Sequence, residues 1–308
     1  MRGAATAVSV PAMPSLRRPP RPTLALALLG ALGLGSLAAC EKTPDAGTTA
    51  PAADVPGGTS FAYKAAPTKL KQNMTVSVTT SGMFNGGLKI DATSLLDVGA
   101  AGDKLKVGFR MLEVRSIETS GEMKQEPKAG EPPPDLKAKL MAATGAKVVD
   151  LHGNADEEAT KALAENADKK GPNLSDAFIG LPSELPVAAL LEGKPVKTSK
   201  RTKETVMGGM AMDMDVDVTY TLVKIDASSG KRLAELKIES EGSGATDITQ
   251  GGKSVSVAMS TSGDSTIVFD LDAQLPVRAH MELTQNGGDE KRNVETRIII
   301  DTTYEPAT

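Results

Sequence analysis

The 308-residue chain holds no tryptophan, and its aromatic inventory stops at three tyrosines and five phenylalanines. Faces that stack sugars or unpaired bases need aromatic platforms, and protein–protein hot spots favour Trp and Tyr, so composition counts against those classes of function. It has two histidines, His152 and His280, and neither stands in an HExxH or GxSxG context, so no catalytic residue is nominated and an enzyme is not expected. Cys40 is the only cysteine, so the chain forms no internal disulfide and depends on its own core. A basic excess is missing as well. The 35 Lys and Arg residues stand against 39 Asp and Glu, the wrong balance for binding a phosphate backbone, and no nucleic-acid partner is expected.

What is present begins at the N-terminus. Arg17, Arg18 and Arg21 precede an apolar run over Thr23 to Leu34 that is too short and too glycine-broken to span a membrane. Small residues then lead to the cysteine in Leu37-Ala38-Ala39-Cys40. Basic, apolar and small-residue regions in that order read as a secretory signal over residues 1–39. Leu37 to Cys40 resembles the bacterial lipobox. The resemblance implies a lipoprotein that begins at Cys40, with diacylglycerol on the thiol and an acyl chain such as palmitate on the freed amine. The expected partner is thus the membrane, through covalent lipid on Cys40, with no other cofactor. Glu41, and not Asp, follows the cysteine, so resemblance to enterobacterial sorting implies the outer membrane, facing the periplasm. Removing residues 1–39 takes away four arginines and no acid, which leaves a formal charge of −8. Such a chain must hold to a membrane by its acyl chains, two or three of which suffice. Residues 40–60, rich in Thr, Pro, Ala and Gly, read as a disordered tether.

A first strand field occupies residues 61–125. Met74, Val76 and Val78 alternate with polar residues, Asn85-Gly86-Gly87 supplies a turn, and Leu88, Ile90 and Ala92 resume the alternation. Leu105, Val107, Phe109 and Met111 form a third row. Leu112 and Val114 then fall on the face of Lys106 and Arg110, so a bulge is predicted near Met111. Residues 126–195 read as a proline-rich loop and helical insert: a helix behind Asp135, a short strand over Lys147 to Leu151, and a second helix from an Asn154/Glu157 capping pair to Gly171-Pro172. The greasy stretch from Leu174 to Leu191, broken by Pro182 and Pro186, reads as a lid or plug. Residues 196–308 form a second field, led by the inward row Met210 to Leu222 and divided by turns at Ser228-Ser229-Gly230, Gly251-Gly252, Ser262-Gly263-Asp264 and Asn286-Gly287-Gly288. The expected class is α+β: a curved antiparallel sheet, half-barrel-like, in two strand fields around a central helical insert.

Four methionines, Met207, Met210, Met212 and Met214, resemble the thioether sites of periplasmic copper-handling proteins, because soft sulfur selects Cu(I). The last three also fit the inward face of one strand. Asp213, Asp215 and Asp217 open like a calcium loop, but Val218 and Lys224 stand where its glycine and glutamate belong, which leaves a solvated stripe. Gly251-Gly252-Lys253-Ser254 ends like a phosphate loop, but Asp247 replaces the leading glycine. The order of anchor, spacer, strands, insert and strand meander is similar to bacterial lipoproteins of the lipoprotein-carrier and LppX-like type. The segment Tyr220 to Asp226 also looks like uncharacterised envelope lipoproteins of that layout. The resemblance implies an apolar cavity beneath the covering segments, and hence a non-catalytic envelope lipoprotein that binds a hydrophobic ligand or acyl chain. The alternatives are a structural or assembly lipoprotein with a packed core, and a Met-rich Cu(I)-binding protein.

Overall fold

The structure, a computed structural model, describes residues 56–82, 85–122, 135–165, 180–206, 210–250, 253–289 and 292–307. The signal, Cys40 and most of the tether lie outside these residues, as do Phe178 and the Gly171-Pro172 helix stop. Alternating sequence forms β1 (Thr68–Gly82), β2 (Gly86–Ala101) and β3 (Lys104–Gly121). Next come helix α1 (Leu136–Met141), β4 (Thr144–Val149), the two-residue β5 (Ala155–Asp156) and helix α2 (Glu157–Glu165). The chain ends in β6 (Val196–Val206), β7 (Met210–Asp226), β8 (Leu233–Gln250), β9 (Lys253–Asp270), β10 (Leu275–Asp289) and β11 (Arg292–Pro306). All eleven strands join one antiparallel sheet in the order β5-β4-β3-β2-β1-β11-β10-β9-β8-β7-β6.

The α+β expectation is therefore corrected. The described chain is nearly all antiparallel sheet, with two short helices of 6 and 9 residues and no central helical insert between separate strand fields. Two causes account for this. β1 and β11 pair from Leu70 with Pro306 to Gly82 with Val294, which fuses the two fields into one sheet. Part of the insert also extends the sheet as β4 and β5, while Pro182, Pro186 and a φ of 66° at Glu184 keep the chain from Leu181 to Leu191 out of any helix. Asp135 caps α1 as expected, its carboxylate accepting the Ala138 N–H at 2.8 Å. Asp156, and not Asn154, caps α2 by accepting from Ala159 at 2.9 Å. Asn154 instead donates to the Asp150 carboxylate from its backbone at 2.9 Å and from Nδ2 at 2.8 Å, closing the turn at Gly153.

β3 carries the expected irregularity. Its pairing with β2 skips Leu112 and Arg115, so Met111 faces inward, Leu112 is extruded to 40% exposure, and Val114 returns to the core at 2%. Bulges at Val223 in β7 and Val277 in β10 bend the other side.

A flat sheet of ten strand spacings, each about 4.8 Å, would be about 48 Å wide. Two consecutive residues rule out that shape. The Leu185 N–H donates at 2.9 Å to the His152 carbonyl, just past β4, while the Glu184 carboxylate pairs with Lys200 on β6 at the opposite edge. The sheet must curl until its edges face each other across a seam, and residues 180–192 bridge that seam as a strap. One end is closed by an apolar plug. Phe61 and Tyr63 set their rings 5.8 and 5.7 Å from Phe269, with Leu185 and Leu190 buried beside them. Burying each such side chain contributes about 1.5–3 kcal/mol. The plug lies where β1 starts and β11 ends, and all six described aromatic residues sit in that half of the sheet.

Candidate functional site

The inward face is lined without a charge along most of its width, but it is not evenly covered. Rows on β1 (Met74, Val76, Val78), β3 (Leu105, Val107) and β7 (Met212, Met214, Val216, Val218) are buried to 3% exposure or less. On β9, β10 and β11 the inward Val257, Met259, Ala279, Met281 and Ile300 stay half-buried. Beside them Ser240, Gly242, Gly263 and Ser265 fall on the same face of the β8–β9 pair and add little bulk. A Cβ on Gly263 would lie 2.6 Å from Ser240 Oγ, so a larger residue there would crowd the Ser240 side chain. The least crowded part of the interior is thus an apolar strip over β8 to β11, chemically suited to an alkyl chain.

The strap is fastened by a short set of polar contacts. The Gly180 carbonyl accepts from Tyr304 Oη at 3.0 Å and from Gln72 Nε2 at 3.4 Å, and Gln72 Oε1 accepts from Ser94 Oγ at 2.9 Å. Tyr63 Oη donates to the Pro182 carbonyl at 2.6 Å, and Thr59 and Leu190 exchange backbone hydrogen bonds at 2.8 and 2.9 Å. Burial pushes the Tyr63 and Tyr304 hydroxyls up in pKa, and burial together with the nearby Glu184 charge pushes Tyr220 up to about 12. Two polar atoms near the seam are buried without a partner among the described residues: Thr202 Oγ1 on β6 and His152 Nδ1 past β4. The strap folds over the His152 turn, its Leu185 N–H donating to the His152 carbonyl at 2.9 Å. His280, by contrast, is exposed, with Nδ1 2.7 Å from the Asp301 carboxylate.

The methionines divide. Met207 and the side chain of Met210 lie outside the described residues, whereas Met212 and Met214 are buried inward on β7. A Cβ on Gly244 would lie 3.0 Å from Met214 Cγ and 3.2 Å from Met212 Sδ, so both thioethers are packed on the β8 backbone. Among the described residues no three His, Cys, Asp or Glu side chains converge on one point. Because Met212 and Met214 are buried in these packing contacts, Cu(I) titrated into the delipidated chain is expected to fill no stoichiometric site. A one-to-one site lost in Met210→Leu plus Met212→Leu, with the fold intact, would make these methionines a metal centre. The aspartate stripe faces out but is not free: Asp217 pairs with Lys197 at 2.8 Å and Asp213 with Arg201 at 3.5 Å, both on the edge strand β6.

Sequence reasoning missed the seam, and the signal that pointed toward it was a proline-broken segment with more leucine than a connector needs. No family model and no curated protein matches the chain.

Proposed function

We propose that the chain is a non-catalytic envelope lipoprotein, anchored in the outer membrane through lipid on Cys40, whose curled sheet holds a hydrophobic ligand such as an acyl chain. The observation that carries this reading is the seam. Opposite sheet edges are bridged by the strap's few hydrogen bonds and the Glu184–Lys200 ion pair, so parting them exposes the half-buried apolar strip without breaking a β-ladder. A ligand lying along Met259, Met281 and Ile300 would gain about 25 cal/mol for each Å² of apolar surface removed from water.

The chain purified from its native membrane should carry acyl groups on Cys40 and release a hydrophobic ligand in its mass spectrum. Cys40→Ser should lose the acyl mass yet still take up a fluorescent fatty acid after delipidation. Lys200→Glu, which sets two carboxylates against each other at the strap, should speed uptake and release several-fold. Failure of the delipidated, folded wild type to take up the probe would leave the packed structural or assembly lipoprotein ahead.

A further inference from the structure

On the outward face of the sheet a cleft of about 460 Å³ crosses the β1–β11 junction. Strand register explains its chemistry. Arg278 on β10 lies opposite Thr303 on β11, Thr303 opposite Asn73 on β1, and Asn73 opposite Thr93 on β2. Arg115, extruded from β3 by the bulge, donates from Nη1 to Thr93 Oγ1 at 2.8 Å. One row thus runs from guanidinium to guanidinium over hydroxyl and amide groups alone. The carboxylates of the neighbouring row already have partners, although Asp301 and its partner His280 line the cleft themselves. Asp91 accepts from Thr75 Oγ1 at 2.6 Å and Ser116 Oγ at 2.8 Å, which hold its carboxyl below the usual range with smaller help from Lys89 and Arg115. Asp301 is held by His280.

Other arginines on this sheet find carboxylates: Arg201 pairs with Asp213, Arg232 with Asp272, and Arg297 with Glu282. Arg110, Arg115 and Arg278 have none within 4.0 Å among the described residues, and two of these three line the one cleft. Both line the same cleft, and Arg115 is turned from β3 onto Thr93 of β2, toward the side on which Arg278 lies. Guanidinium forks bind phosphate oxygens in pairs, and Asn73 and Thr303 between them offer neutral donors, while the Asp301 carboxylate that also lines the cleft is bonded to His280. We propose that this cleft binds a phosphate group, gripped between Arg115 and Arg278 over Asn73 and Thr303. The site is independent of the inward apolar strip, since it lies on the opposite face.

Two arms test it on the full chain and separate the sources of phosphate. In the first, pyrophosphate is titrated calorimetrically into wild type and into Arg115→Gln plus Arg278→Gln, both checked for an unchanged melting curve. Single Gln variants stand in should the double variant unfold. In the second, the delipidated proteins are sedimented with vesicles of phosphatidylglycerol or of phosphatidylcholine. Saturable one-to-one pyrophosphate binding, weakened at least about tenfold in the variant, with no vesicle preference, identifies a free phosphate ester. Preference for phosphatidylglycerol that the variant loses identifies a lipid headgroup. Equal behaviour of wild type and variant in both arms overturns the site.

Discussion

Gly153→Val should destabilise the domain by about 3 kcal/mol or more and lower its melting temperature by about 10 °C. Gly153 has a φ of 85°, which a β-branched residue adopts only under strain. A Cβ there would also lie 2.5 Å from the Pro182 carbonyl oxygen and 3.2 Å from Tyr63 Cε2, so the strap and the plug would both have to shift. Gly102→Val separates the two effects. Its φ is 67°, but nothing lies within 4 Å of the added carbon, so only the backbone cost of about 1–2 kcal/mol applies. Thermal unfolding followed by circular dichroism compares the two, and equal melting temperatures would show that the strap does not press on the Gly153 turn.

Alkaline unfolding should begin at the same end. Tyr63, Tyr220 and Tyr304 all carry hydroxyls whose pKa is raised chiefly by burial, Tyr220 up to about 12. Unfolded tyrosine ionises near pH 10, so above that pH the folded state binds more protons than the unfolded one. The stability these residues contribute is complete below about pH 10 and is lost as pH rises through the folded values, a tenfold change in one hydroxyl's ionisation constant being worth about 1.4 kcal/mol. Tyrosinate absorbance should stay low and then rise in one cooperative step with loss of the sheet signal. Tyr220→Phe should move that step to higher pH. A gradual titration centred near pH 10 with the sheet intact would show that the plug admits solvent freely.

Much local order was readable from residue pattern because it depends on neighbours in the chain, but the turns expected at Ser262-Gly263-Asp264 and Asn286-Gly287-Gly288 lie inside β9 and β10. The alternating rows of β1 and β7, the Asp135 cap and the phase slip after Met111 each follow from a few adjacent side chains, and the slip resolved into bulges at Leu112 and Arg115. Long-range register was not readable. Nothing near Thr303 indicates that it will lie between Asn73 and Arg278, so the outward cleft has no local signature. The strap shows the same limit. Pro182 and Pro186 marked it as non-helical and its leucines marked it as buried, but only the curled sheet sets Leu185 on His152 while Glu184 meets Lys200. The aspartates at 213 and 217 read as a solvated stripe because their cationic partners belong to β6, a strand whose inward row is mostly polar.

The pairing of β1 with β11 has a kinetic consequence. Nine of the ten pairings join strands consecutive in sequence, so all of these but β3–β4, whose connection carries α1, can zip from a short turn, while the tenth joins β1 and β11, near the two ends of the described chain, at the centre of the sheet. Loop-closure entropy grows only with the logarithm of loop length, so this contact costs little additional stability, but folding slows as contacts become less local. Two meanders must form apart, each with a central strand temporarily left as an unpaired edge, until they find one another. That waiting state, with bare backbone at β1 and at β11, is where two copies of the chain can join each other's sheets and aggregate.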